Sequence, residues 1–243
     1  MRSIPQPTQP TQPTQAAVSP LPPAADPQGE APSGTVSPHP GHAVGQAVAR
    51  EDALRSLARI AVFAALIGAL GLMGAVPVPG LVPITAQTLG VMLAGAILGP
   101  WRGAAAVCLL LVLVAFGMPL LSGGRGGLGV FVGPSAGYLF GWVLGAAVVG
   151  LFLHGFRGSR GAAVPGRHRP LRPTWLRAVP GMLVGGILAI YAVGIPVQAL
   201  ITGMALADTA LTSLAFLPGD LLKAAVACLV TMALWRAYPR AFR

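Results

Sequence analysis

Charged residues are scarce in this chain. They make up 9% of its 243 residues, against about a quarter in an ordinary soluble domain. Only six are acidic, and Lys223 is the sole lysine. Mean hydropathy is +0.73. That balance excludes a water-soluble enzyme, and it excludes a coiled coil, whose outer positions need charge. Cysteine is nearly absent. Cys108 and Cys228 both fall in apolar runs, without a second Cys or a His at metal-ligand spacing. Neither a disulfide scaffold nor a metal site is expected. No Gly-x-x-x-x-Gly-Lys-[Ser/Thr] occurs, so the chain has no P-loop for ATP hydrolysis, and no His-Glu-x-x-His marks a zinc protease. An intramembrane aspartyl hydrolase needs two acids sharing a site. Asp220 is the one acid inside an apolar run, which leaves Asp208 as its sole candidate partner.

What the chain does have is long apolar runs with 33 glycines and 24 prolines. Small residues let membrane helices approach closely. Six apolar stretches are expected as spans: Leu54–Val76, Ile84–Leu98, Ala104–Phe116, Val130–Leu153, Ala178–Leu200 and Pro218–Tyr238. A full crossing takes roughly 20 apolar residues. The second and third stretches fall short, so they are expected to pack against protein as well as lipid. Gly99-Pro100-Trp101-Arg102-Gly103 joins them as a sharp hairpin. Ile201–Leu217, interrupted by Asp208, reads as a short outer helix or loop.

Residues 1–52 differ in kind. PQPTQPTQPTQ is low-complexity, and proline recurs up to Pro40. Such a segment lacks the apolar surface to offset its ordering entropy, so a disordered tail is expected there, followed by a membrane domain over 53–240. No apolar segment follows Met1 within about thirty residues, so a signal peptide is not expected.

The sixteen basic residues sit mostly in short loops between apolar runs, which argues for a lipid bilayer and against nucleic acid as partner. Arg55, Arg59, Arg102, Arg157, Arg160, Arg167, Arg169, Arg172, Arg177, Arg236, Arg240 and Arg243 fall on one side of the predicted spans. Only Arg125 falls on the other. The positive-inside rule places both termini in the cytoplasm, and six spans satisfy this. The expected fold class is an all-α integral membrane protein of six transmembrane helices, multi-pass in the plasma membrane.

Few groups remain for chemistry. Asp220 and Lys223 lie in the sixth stretch, where each charge costs about 2.5–3.5 kcal/mol to insert. Their i, i+3 spacing puts them on one helix face, roughly 5–6 Å apart at Cβ. Two readings stand. The pair faces a polar ligand entering from outside, or it is structural, with Asp220 in the first helical turn where the dipole favours an anion. The loop Ser122-Gly123-Gly124-Arg125-Gly126-Gly127-Leu128-Gly129 holds one arginine among five glycines. Its backbone and Arg125 can cradle a carboxylate, or it is a plain flexible linker. Thr85, Gln87 and Thr88 stand at an outer helix start. The Gln87 amide is costly to leave unpaired in lipid. Tyr138 is either a ring wall for a ligand or a core residue with its hydroxyl satisfied. Ala61, Ala65 and Ala69, four apart, make a flat stripe for another helix, inside or outside the chain.

Three stretches carry a family resemblance: VPITAQTLGVMLAGAILGPWRGA, GMPLLSGGRGGLGVFVGPSAGY and FLPGDLLKAAVA. Together and in order they resemble the BioY family, the biotin-specific membrane component of energy-coupling-factor vitamin transporters, over about residues 54–238. The resemblance implies high-affinity biotin capture from outside and uptake across the plasma membrane, with no catalysis and no cofactor. It implies binding roles for Asp220 and Lys223. It implies a glycine loop over Gly123–Gly129, with Gly126 and Gly127 at its centre, that covers the pocket. It also implies that Ala61 and Ala65 dock a transmembrane coupling protein above two cytoplasmic ATPases. Two departures stand out. The family usually reads G-P-T-G-G-Y where this chain has Gly133-Pro134-Ser135-Ala136-Gly137-Tyr138. Some relatives carry an asparagine near the glycine loop, and none occurs between Met118 and Gly133.

Biotin has a ureido group with two N–H donors at one end and a carboxylate at the other. Asp220 suits the ureido end, and Arg125 or Lys223 the carboxylate. The alternatives are a component of the same frame for another vitamin, an intramembrane hydrolase using Asp220, and a purely structural subunit.

Overall fold

The computed structural model describes residues 40–73, 75–76, 84–155 and 173–242. The chain divides into two units, Met1–Ala43 and Val44–Arg243. Most of the first lies outside the described residues, and so does most of the stretch read as a tail. The second unit is a helical membrane domain.

Helix α1 spans Pro40–Leu72, so it begins well before the expected Leu54 and covers the end of the stretch read as a tail. It stops short of the expected Val76. Ala75–Val76 (β1) instead pairs antiparallel with Ile84–Thr85 (β2) as a two-residue ladder. Helices α2 (Gln87–Leu98) and α3 (Pro100–Ala115) follow. The hairpin between them is the expected one: Gly99 adopts φ 85°, and Pro100 opens α3 at a position that needs no N–H. After α3 a glycine loop and a 3-10 turn over Leu128–Phe131 lead to α4 (Ala136–His154). The expected start at Val130 moves to Ala136 because Gly133 and Pro134 interrupt the helix.

Helix α5 (Trp175–Leu183) runs through a π-helical segment, Val184–Ala189, into α6 (Ile190–Thr202). Gly203, left-handed at φ 68°, closes α6. The segment read as a short outer helix or loop is helix α7 (Leu206–Ser213), which continues through a 3-10 turn over Leu214–Phe216 into α8 (Leu217–Ala237). The arginine-rich connection over 156–172, with Arg157, Arg160, Arg167, Arg169 and Arg172, lies outside the described residues.

Four stretches are long and apolar enough to cross a membrane: Arg50–Leu72, Ala136–His154, Trp175–Thr202 and Leu206–Ala237. Helices α2 and α3 are apolar but shorter, at 12 and 16 residues. At 1.5 Å per residue they reach only ~18 and ~24 Å, less than the ~30 Å hydrocarbon core. Burial explains why α2 is tolerated, since nearly all its residues are enclosed by protein. Six apolar membrane helices result.

Helix α4 is the centre of the bundle, packed by α2, α3, α5 and α6. Glycine sets the close contacts. A Cβ on Gly95 would collide with Ala146 O, and one on Gly150 would lie 2.6 Å from Gly99 C, so α2 runs parallel to α4. A Cβ on Gly137 would lie 3.0 Å from Gly194 O and one on Gly145 2.7 Å from Gly185 O. The α5–α6 stretch is therefore antiparallel to α4, and hence to α2. One buried cluster joins Ile67, Val91, Leu110, Val114, Trp142 and Ile190. A second joins Met92, Ile97, Val149, Met182, Ile187 and Ala227. Exposed Val62, Leu66, Leu144, Leu188, Leu200 and Leu229 form apolar outer faces suited to lipid.

Candidate functional site

Phe216 ends the 3-10 turn and α8 follows directly, with Pro218 near its start, so Asp220 falls in the first turn of α8. Lys223, one turn on, closes back upon it: Lys223 Nζ donates to Asp220 Oδ1 at 2.9 Å. The other carboxylate oxygen is also held, because the Tyr191 hydroxyl donates to Asp220 Oδ2 at 2.7 Å. Asp220 is 6% exposed. The charges neutralise each other, and together they form part of the wall of a cleft.

That cleft lies among α2, α4, α6 and α8 and is partly open. Thr85 borders it from β2, Thr88 from the start of α2, and Tyr138 and Trp142 from α4. Gly186, Ile190 and Tyr191 border it from the π segment and α6, and Phe216, Asp220 and Lys223 from the entry to α8. Four of its ten lining residues are aromatic, and one carboxylate and one ammonium stand side by side. Tyr138 and Tyr191 meet edge to face, ring centroids 6.2 Å apart at 83°. This arrangement can grip an apolar ring system on its faces while giving a hydrogen-bonding head a charged acceptor.

The expected site residues divide into those at the cleft and those around it. Asp220, Lys223 and Tyr138 line it. The Tyr138 hydroxyl is satisfied in the core, and its ring borders the cleft. The hydroxyl donates to Gln198 Oε1 at 2.9 Å and lies 2.9 Å from Ser213 Oγ. Gln87, Arg125, Gly126 and Gly127 are not among the described residues that line the cleft. Gln87 is buried and turned to the main chain. Its Nε2 donates to Ile67 O at 3.3 Å and Leu120 O at 3.1 Å, and its Oε1 accepts from Ser122 N–H at 3.3 Å. One amide thereby ties α1, α2 and the base of the glycine loop.

Arg125 is exposed in that loop. Its Nε donates to Ser122 O at 3.2 Å and its Nη1 to Ser135 Oγ at 3.3 Å. Ser135, the position where the family motif has Thr, keeps the hydroxyl that this contact uses. Ser135 immediately precedes α4, three residues before Tyr138. Gly127, at φ 82°, donates its N–H to Val114 O at 2.7 Å, and a Cβ on Gly126 would collide with Met118 O. The loop therefore folds back tightly over the end of α3. Ala61 and Ala65 lie exposed on α1, on the face away from buried Ala64 and Ile67. Asp208 is exposed on α7 and is not among the described cleft residues, so the two-acid arrangement of a hydrolase is not formed.

Sequence reasoning missed Trp142, Ile190, Tyr191 and Phe216. Trp142 was within reach, since it lies four residues from Tyr138 on the same helix face.

The BioY family model matches residues 43–240. The chain belongs to the BioY family. A relative from Rhizobium etli, named biotin transporter BioY, is 45% identical over 195 residues, covering 76% of this chain and 95% of the relative. One of the same name from Rhodobacter capsulatus is 45% identical over 197 residues, covering 77% and 96%. A crystal structure described as the S-component for biotin from an ECF-type ABC transporter matches with a TM-score of 0.67 at 28% identity, over 79% of this chain and 98% of that one. In this BioY-family chain the cleft lies wholly within the matched residues.

Proposed function

We propose that this chain captures biotin at the outer face of the plasma membrane as the substrate-binding component of an energy-coupling-factor transporter. It is a multi-pass transporter component and not an enzyme. The observation that carries the reading is the Asp220 carboxylate, held by Lys223 at 2.9 Å and Tyr191 at 2.7 Å, at the wall of an aromatic cleft. An ionised carboxylate has about four acceptor positions. Two are taken, and the rest suit the two ureido N–H groups. Tyr138, Trp142, Tyr191 and Phe216 supply apolar faces for the fused rings and the hydrocarbon chain.

Lys223 is bound to Asp220 and stays at the ureido end. The carboxylate end falls to Arg125, whose guanidinium has five N–H donors and uses two in the contacts with Ser122 and Ser135. Gly126 and Gly127 let the loop close over the ligand, and Gln87 fixes the base of that loop. Both termini lie in the cytoplasm by the positive-inside rule. Energy comes from a transmembrane coupling protein with two cytoplasmic ATPases, docked on the small-residue face of α1 that bears Ala61 and Ala65.

The direct test is thermal unfolding of the detergent-purified protein. Biotin raises Tm with rising concentration, as mass action requires of a ligand that binds only the folded state. Other vitamins at equal concentration leave Tm unchanged. No shift with biotin, or an equal shift with another vitamin, overturns the reading.

A further inference from the structure

Three buried side-chain hydroxyls have no hydrogen-bond partner among the described residues: those of Thr88, Ser122 and Thr231. Helical serines and threonines ordinarily relieve themselves on a carbonyl three or four residues back. Several do so here: Thr202 on Gln198 O at 2.8 Å, Thr209 on Ala205 O at 3.1 Å and Ser213 on Thr209 O at 2.7 Å. Thr231, in the middle of α8, has the Ala227 carbonyl one χ1 rotation away. Thr88 bonds neither of the carbonyls three and four residues before it, those of Thr85 and Ile84. It is the second residue of α2, and the residue four before it is Ile84 of the short strand. Of the three, only Thr88 borders the cleft.

Helix register locates Thr88 along the cleft. A Cβ on Gly186 would press into Met92, 2.7 Å from its Cγ. The helices bearing these two residues are antiparallel. One turn outward from that contact, Thr88 on α2 comes level with Ile190 and Tyr191 on α6. Tyr191 is the residue whose hydroxyl holds Asp220. Thr88 therefore stands at the Asp220 end, on the α2 wall, while Asp220 occupies the α8 wall.

A urea-type head presents N–H groups and a carbonyl oxygen in different directions. When its N–H edge goes to Asp220, its oxygen turns to another wall. The Tyr191 hydrogen is committed to Asp220, whereas the Thr88 hydroxyl hydrogen is uncommitted. We propose that the Thr88 hydroxyl binds ligand directly, donating to the carbonyl oxygen of the urea-type head whose N–H groups Asp220 accepts. In this proposal the hydroxyl turns to the ligand about χ1, for which threonine has more than one accessible rotamer. This inference rests on the biotin reading and adds one specificity-determining residue to it.

The experiment compares wild type with Thr88→Val, which keeps the side-chain shape, and Thr88→Ser, which keeps the hydroxyl. Each is assayed for Tm without ligand and for Kd with biotin and with biotin methyl ester. The expected result for Thr88→Val is an unliganded Tm equal to or above wild type, since no bond is lost. Its Kd rises about three- to tenfold for biotin and by the same factor for the ester. Thr88→Ser stays close to wild type. An unchanged Kd in Thr88→Val overturns the inference. So does a lowered unliganded Tm or a failure to fold, since either means that the hydroxyl already has a structural partner. A Kd change for biotin but none for the ester places Thr88 at the carboxylate end and overturns it as well. If wild type binds no biotin at all, the biotin reading itself fails, and the wild-type arm shows this separately.

Discussion

Tyr191 holds Asp220 from the opposite side to Lys223: its hydroxyl donates to Oδ2 at 2.7 Å, while the lysine occupies Oδ1. The carboxylate is thereby fixed before ligand arrives, and less conformational freedom is lost on binding. Tyr191→Phe removes this donor and keeps the ring that packs against Tyr138. Hydrogen bonds to charged groups contribute about 1.5–3 kcal/mol. Biotin affinity should fall about tenfold or more by titration calorimetry, with a small change in Tm. An unchanged affinity would show that Asp220 needs no such support.

Gln87 makes three hydrogen bonds to main-chain groups of separate segments. Gln87→Ala leaves the carbonyls of Ile67 and Leu120 and the N–H of Ser122 without their partner. The expected loss is about 2–4 kcal/mol of stability. Hydrogen exchange should rise at the amide of Ser122 and along the loop that follows. A Tm equal to wild type would remove Gln87 as the brace of the loop.

In the proposed reading, Arg125 takes the carboxylate end of biotin. Arg125→Ala should weaken biotin about tenfold, in line with loss of a charge-assisted contact. It should leave biotin methyl ester nearly unaffected. Equal losses for both would take Arg125 away from the carboxylate.

Ala61 and Ala65 face outward from the bundle. Ala65→Trp puts bulk on that face without adding charge in the membrane. Biotin binding by the isolated protein should be retained, while co-purification with the coupling protein and biotin uptake should be lost. Retained assembly would move the docking surface elsewhere.

Much of the architecture is legible in the residues. The apolar stretches locate the helices, Gly99 and Pro100 locate the hairpin, and i, i+3 spacing puts Asp220 and Lys223 together. Tyr191 is not legible because the π segment Val184–Ala189 stands just before it. Bonding from i to i+5 shifts the phase of everything after, so a 3.6-residue count from Ala178 misjudges which face Tyr191 occupies. Gln87 reads as a binding group because its amide demands partners. Those partners are carbonyls 20 and 33 residues away, which no local pattern shows. The start of α1 at Pro40 is hidden by the low hydropathy of its first turns. The contact of Arg125 with Ser135 is made by the fold of the glycine loop, which no local pattern shows.

Asp220→Asn tests the account most directly. The amide keeps the shape and one oxygen but removes the charge that accepts N–H donors and balances Lys223. Truncating one partner of a desolvated charge pair costs about 2–5 kcal/mol in binding. The predicted result is a biotin Kd raised at least about thirtyfold by equilibrium titration, in a protein that still elutes as a folded monodisperse species. A Kd equal to wild type would contradict the account.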